Sequence, residues 1–215
     1  MNHARDAKSA RAGRPTREQA QARHHALLNT ALDQFLAKGF ELATIEAIAQ
    51  EVGMTKRTVY ARYPDKVALF QAAVDLAIER YTVPQEQIEA TDRGDLVQTL
   101  VAIAWLRVEQ VLTTNGLRLQ RIINAESYRF PDLFTRSYEQ TGLPTVHFLT
   151  AVLDRETRAG ALAIAQPAKA ANVFMSMVVG GPVRSIVLGT GMERDEIDAR
   201  IRYAVSLFLD GARPR

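Results

Sequence analysis

Cysteine is missing altogether. That excludes disulfides, thiolate metal sites and a cysteine nucleophile, and it permits a reducing cytoplasm. Long apolar runs are scarce. The longest, Val173 to Val183, contains Ser176 and Gly180-Gly181-Pro182 and stops at Arg184, too short to span a bilayer. Met1 to Ala12 is polar and basic and lacks the apolar stretch of a signal peptide. A cytoplasmic protein with no membrane partner is expected. Alternating apolar and polar stretches are wanting too, which leaves strands without support. No His/Asp/Glu set has metal-ligand spacing, no serine sits in a nucleophile elbow, and no glycine-rich loop follows a strand. The expectation is no catalytic residues, no metal and no cofactor, hence not an enzyme.

What is present is enough apolar material, 47% of 215 residues, to bury a sizeable core. The length suits a small module joined to a larger one. The net charge of +3 is unevenly placed: residues 1–80 hold twelve Lys/Arg against nine Asp/Glu, and residues 81–215 hold fifteen of each. A basic end on a neutral body points to a polyanion at that end, although a basic tail with no partner has the same signature.

The chain after residue 16 reads as helix throughout. Thr16 can cap a first helix running to about Lys38, with Leu28, Ala31, Leu32 and Phe35 on its apolar side. Gly39 ends it, and Phe40 folds back on the last turn. Thr44 then caps a short helix over Ile45 to Glu51. Val52-Gly53-Met54 makes a tight turn. Thr55 caps a third helix to about Tyr63, and Pro64-Asp65 opens a fourth to about Tyr81. Residues 82–94, with Pro84 and Gly94, read as the join between modules. Beyond it the pattern predicts helices at about 95–113, 116–128, 132–158, 167–189 and 193–210, the third interrupted near Gly142 and Pro144. That makes about nine helices in an all-α fold: a basic flexible arm over 1–15, a helix-turn-helix module over 16–81, and a helical bundle over 82–215.

The informative stretch is Thr44 to Lys66, TIEAIAQEVGMTKRTVYARYPDK. Two short helices, a glycine-bearing turn and a polar second helix describe a helix-turn-helix. The turn needs Gly53 because one residue there takes a positive φ. The second helix must present long polar side chains at its start to reach base edges in a major groove. Lys56 and Arg57 stand there, Thr58 and Tyr60 follow on accessible faces, and Val59 is the apolar anchor. His24-His25 in the first helix point in different directions, cannot share a metal, and read as surface residues.

Residues 13–78 resemble the TetR-family DNA-binding domain from end to end. Gly13-Arg14-Pro15, Phe35 with Lys38-Gly39-Phe40, Thr44 with Ile48-Ala49, and Val52-Gly53 carry the first half of the likeness. Thr55-Lys56, Thr58-Val59-Tyr60, Tyr63-Pro64-Asp65-Lys66 and Leu69-Phe70 carry the second. Arg57 is a departure, since many members have glycine or a small residue there. The resemblance implies phosphate contacts from Thr44, Thr55, Tyr60, Tyr63 and Lys66, base reading by Lys56 and Arg57, and either role for Thr58. Tyr63 equally suits a core aromatic. On this reading, losing Lys66 weakens binding to all duplexes alike.

Arg121 to Leu133 (RIINAESYRFPDL) with Arg158-Ala159-Gly160 resembles the regulatory domain of the AefR-like branch. That implies a cavity lined by residues 132–158, with the last two helices forming a homodimer. The stretch 167–189 supports the dimer independently, being apolar on most sides through Ala170, Val173, Phe174, Met177, Val178, Ile186 and Val187. Gly180 and Gly181 either let a second backbone approach or merely accompany a kink at Pro182. Trp105, Phe134, Tyr138 and Met175 suit either a pocket wall or plain core filling, and Phe174 is a further candidate ligand contact. Arg121, Asn124 and Tyr128 of the AefR-like stretch join them, as does His147 beside Phe148. The expected partners are double-stranded operator DNA, a second copy of the chain, and an unidentified small-molecule effector. The leading expectation is a repressor released from its operator by an apolar or aromatic ligand. The alternative is a DNA-binding dimer whose larger module is filled and ligand-free. A cavity of several hundred cubic ångströms in that module would separate the two.

Overall fold

A computed structural model describes residues 16–214 except 188, 190 and 191, and leaves the side chains of Pro182, Ile186 and Val187 undescribed. The basic arm over 1–15 lies outside the described residues. The described residues form eleven α-helices and no strand. They divide into two compact units, one ending at Ala73 and the other beginning at Val74.

The first unit holds α1 (Arg17–Leu42), α2 (Ile45–Glu51), α3 (Lys56–Tyr60) and the first half of α4 (Lys66–Tyr81). Its helix starts are set by side chains, as the sequence suggests. Thr16 and Gln19 form a reciprocal capping box, the Thr44 hydroxyl accepts from the Ala47 amide, and the Thr55 hydroxyl accepts from the Thr58 amide. Asp65 caps α4 through the Ala68 amide at 2.7 Å. Gly39 leaves helical geometry at φ 75°, which turns Phe40 back onto Phe35. Phe35, Phe40 and Phe70 then pack together, with Phe70 edge-on to both others at 5.0 and 5.3 Å. Such pairs add about 0.5–1.5 kcal/mol each beyond simple burial. Ile45, Ile48, Ala49 and Val59 complete a core that pins the two short helices.

The second unit holds the end of α4, then α5 (Gln85–Glu89), α6 (Leu96–Leu112), α7 (Thr114–Glu126) and α8 (Asp132–Ser137). A π turn (Tyr138–Gly142), α9 (Leu143–Arg158), α10 (Pro167–Val187) and α11 (Arg194–Ala212) follow. Two differences from the sequence expectation account for eleven helices rather than nine. The join at 82–94 contains the short α5, which begins after Pro84 and is anchored by the buried Ile88. The interruption foreseen near Gly142 is a π turn wide enough to split 132–158 into two helices. The core lies between α6, α9, α10 and α11, through Leu100, Ile103, Leu149, Phe174, Ile201 and Val205. The second half of α4 belongs here. The Tyr81 ring lies below the α6–α7 corner, where a side chain at Gly116 would collide with it and with the carbonyls of Gln110 and Val111. Arg136 of α8 pairs with Asp75 at 2.6 Å.

Candidate functional site

The first unit presents one polar helix end. Gly53, at φ 65°, makes the turn that the sequence required of it, and α3 follows with Thr55 as its cap. Val59 is fully buried, so α3 is held by one face while Lys56, Arg57, Thr58 and Tyr60 stand exposed on the others. Lys56 forms an ion pair with Glu46 and its ammonium lies 5.5 Å from the Tyr60 ring centre. Arg57 is exposed and has no such anchor among the described residues. The Thr55 and Thr58 hydroxyls are 2.8 Å apart and share one edge of the helix start. Thr44 is exposed at the start of α2 with its oxygen engaged in capping.

Two of the expected phosphate contacts are placed otherwise. The Lys66 ammonium donates to the carbonyls of Phe40, Glu41 and Ala43 at 2.8, 3.0 and 3.2 Å and sits over the Phe40 ring. All three of its protons serve the C-terminal end of α1. Tyr63 is only 8% exposed and stacks on His24, its hydroxyl 3.4 Å from the imidazole nitrogens. Of the two readings open for Tyr63, the packed aromatic is the one observed. His24 and His25 are both partly exposed, and His24 leans on Tyr63 from that position. Arg23 and Arg62, which sequence reasoning passed over, border the same groove as Thr55 and Thr58. They stand thirty-nine residues apart, so only the fold brings them together.

Burial, with Arg62 and His25 nearby, holds the His24 imidazole below its ordinary value of 6.5. A histidine depressed in the folded state stabilises the fold above the unfolded value, and that stability is lost as pH falls through the folded value. Acidification from pH 7.5 to 5.5 is expected to lower the melting temperature less in His24→Gln than in the parent. Equal acid sensitivity of the two would remove His24 as a source.

The second unit holds an open cleft of about 320 Å³ between α6, the α8–α9 segment and α10. Phe134, Tyr138, Val146, Met175 and Val179 form apolar walls, with the Tyr138 ring packed over Gly142, Gly180 leaving open space, and Asn172 and Ser176 at the rim. Phe134 and Tyr138 lie parallel at 6.4 Å, and the Tyr138 hydroxyl donates to Asn172 at 2.8 Å. Arg107 is also on the wall, at 6% exposure.

Of the pocket candidates read from the sequence, Phe134, Tyr138 and Met175 lie here. Trp105 is taken up elsewhere, its indole donating to Asp198 at 2.9 Å under the Arg194 guanidinium. Phe174 is fully buried against Phe208 and fills core. Arg121, Asn124 and Tyr128 face solvent at the end of α7 and just beyond, and His147 faces solvent on α9. Helical spacing fixes which residues share a face, but not which neighbour that face meets.

A family model described as bacterial regulatory proteins, tetR family, matches residues 27–73. The model of the AefR-like transcriptional repressor C-terminal domain matches residues 98–211, more than half of the chain. The chain belongs to the TetR family. It is thus a DNA-binding transcriptional regulator, and the proteins it is similar to are regulators rather than enzymes. The HTH-type transcriptional regulator YdeS of Bacillus subtilis (strain 168) is 30% identical over 114 residues, covering 53% of this chain and 52% of YdeS. This chain therefore matches about half the length of YdeS. YvkB of the same organism is 22% identical over 191 residues, 86% of this chain and 94% of YvkB. The flavonoid-responsive regulator FrrA superposes with a TM-score of 0.70 at 29% identity, over 91% of this chain and 99% of FrrA. Among the described residues no single helix is long and apolar enough to cross a membrane.

Proposed function

We propose that this TetR-family chain is a cytoplasmic, homodimeric repressor that a small apolar or aromatic molecule, bound in the α6–α10 cleft, releases from its operator. The cleft carries this reading: its volume of about 320 Å³ lies within the range of small-ligand sites, and its walls are apolar and aromatic. Its presence favours ligand control over a filled, ligand-free module. The similarity to FrrA, a regulator named for its response to flavonoids, points the same way. Lys56 and Arg57 read bases, with Thr58 in either role. Thr44, Thr55 and Tyr60, joined by Arg23 and Arg62, hold phosphates. The dimer forms through α10 and α11, where Val173, Tyr203 and Leu207 are more than half exposed although apolar. Release works through α4, which runs without a break from Lys66 to Tyr81 and shares residues with both units.

The test is linkage. DNA upstream of the protein's own gene supplies the operator, and naringenin, a flavonoid, is the first probe. An inducer must weaken operator binding by the same factor by which operator weakens inducer binding. Anisotropy titrations with and without each partner should return equal factors. An affinity for naringenin that operator leaves unchanged would exclude that compound as inducer, and a panel of apolar and aromatic compounds that leaves operator binding untouched would sink the ligand-released reading.

A further inference from the structure

Arg107 is the odd residue of the second unit. It sits at 6% exposure on α6, whose other buried residues are apolar apart from Thr99. A guanidinium stays protonated in proteins, and withdrawing it from water is costly unless a carboxylate and further hydrogen bonds repay the loss. Here burial pushes its pKa down, and no carboxylate among the described residues pairs with it. It has a long 3.5 Å bond to the Gln110 amide oxygen and a place 5.7 Å from the Tyr81 ring centre. Neither contact neutralises the charge. The same residue borders the cleft, whose other lining residues carry no charge.

We infer that Arg107 is the counter-ion of the cleft, and that the effector is an aromatic acid whose carboxylate sits on this guanidinium while its ring lies between Phe134, Tyr138, Val146 and Met175. This rests on the ligand-controlled reading above and adds the chemical class of the ligand. The planar fork of arginine matches a carboxylate through two parallel hydrogen bonds, and the dry surroundings strengthen both. A neutral ligand of equal shape gains the apolar contacts but leaves the buried charge uncompensated. The geometry also links binding to α4. The guanidinium that takes the carboxylate is the one beside Tyr81, and Phe134 stands two residues before Arg136, which holds Asp75.

The experiment compares 2-naphthoate with 2-naphthamide, alike in shape and different in charge, by calorimetry on the full-length protein. The parent should bind naphthoate at least about tenfold more tightly, a difference of about 1.4 kcal/mol. Arg107→Met keeps the length and removes the charge. It should melt no lower than the parent, because an uncompensated buried charge is gone, and it should lose the preference for the acid. Arg107→Lys should keep part of that preference. Ser176→Trp, placed at the exposed rim, should block naphthoate by filling the cleft. Equal binding of acid and amide, an undiminished preference in Arg107→Met, or no binding of naphthoate at millimolar concentration would overturn the inference. DNA release separates it from the reading beneath it. Naphthoate bound through Arg107 without loss of operator binding would leave the counter-ion role standing and remove the inducer. A neutral compound that releases DNA while acids are ignored would do the reverse.

Discussion

Lys66→Met should destabilise the first unit by about 1.5–3 kcal/mol while leaving the salt dependence of DNA binding as it was. The ammonium satisfies three carbonyls at the end of α1, where the helix has no partners of its own to offer and where its dipole favours a cation. A hydrogen bond to a charged group contributes about 1.5–3 kcal/mol, and the three share one charge, so the upper end is a ceiling for their sum rather than for each. Methionine retains most of the stem over Phe40, which isolates the loss of the charge from the loss of packing. Thermal or urea unfolding followed by circular dichroism measures the stability, and operator titrations at several salt concentrations measure the slope. Had Lys66 clamped a phosphate, the stability would hold and the slope would flatten by about one unit per reading head. That second outcome would restore the role that the sequence resemblance implies.

Arg57→Ala should narrow the gap between operator and random DNA by about 1–3 kcal/mol per reading head. Lys56→Ala should narrow it less. The two residues are neighbours at the start of α3, but they begin from different states. Lys56 is already engaged by Glu46 and Tyr60, so reaching a base means giving up an ion pair, whereas Arg57 is exposed and without such an anchor. The Lys56–Glu46 pair lies at the surface, where solvent screens it, so its loss should not unfold the unit. Competition assays against unrelated duplex give the gap directly. A larger effect from Lys56 than from Arg57 would reverse their ranking as base readers, and a loss of affinity equal on all sequences for both would reassign these side chains to the backbone of the duplex.

The reading head was legible because its signals are local. A cap acts over three residues, as at Thr44, Thr55 and Thr16, and a positive φ belongs to a single residue, as at Gly39 and Gly53. The intramolecular bonds of Lys66 went unforeseen for the opposite reason. Its acceptors lie between 23 and 26 residues away, and nothing in the sequence around it announces them. The cleft was harder still. Tyr128 and Arg121 stand in the stretch that resembles the AefR-like domain, yet the end of α7 turns them to open solvent, while Phe134 a few residues later, though itself largely exposed, borders the cleft. Arg107 attracts no notice in the sequence because a single charge in an amphipathic helix belongs by default to the exposed face. Only its burial makes it unusual.

The π turn has a consequence for register. Four residues of an α-helix overshoot one full turn by roughly 40°, so a row spaced by four drifts steadily around the axis. Phe134, Tyr138, Gly142 and Val146 are such a row, and in an unbroken α-helix the first and last would diverge by roughly 120°. The wide turn over Tyr138–Gly142 winds more slowly and cancels much of that drift, which is how all four come to border one cleft. The widened turn is thus a phase corrector. A chain one residue shorter there would keep its composition, its helices and its apolar core residues, and would aim its aromatic pair at a different wall.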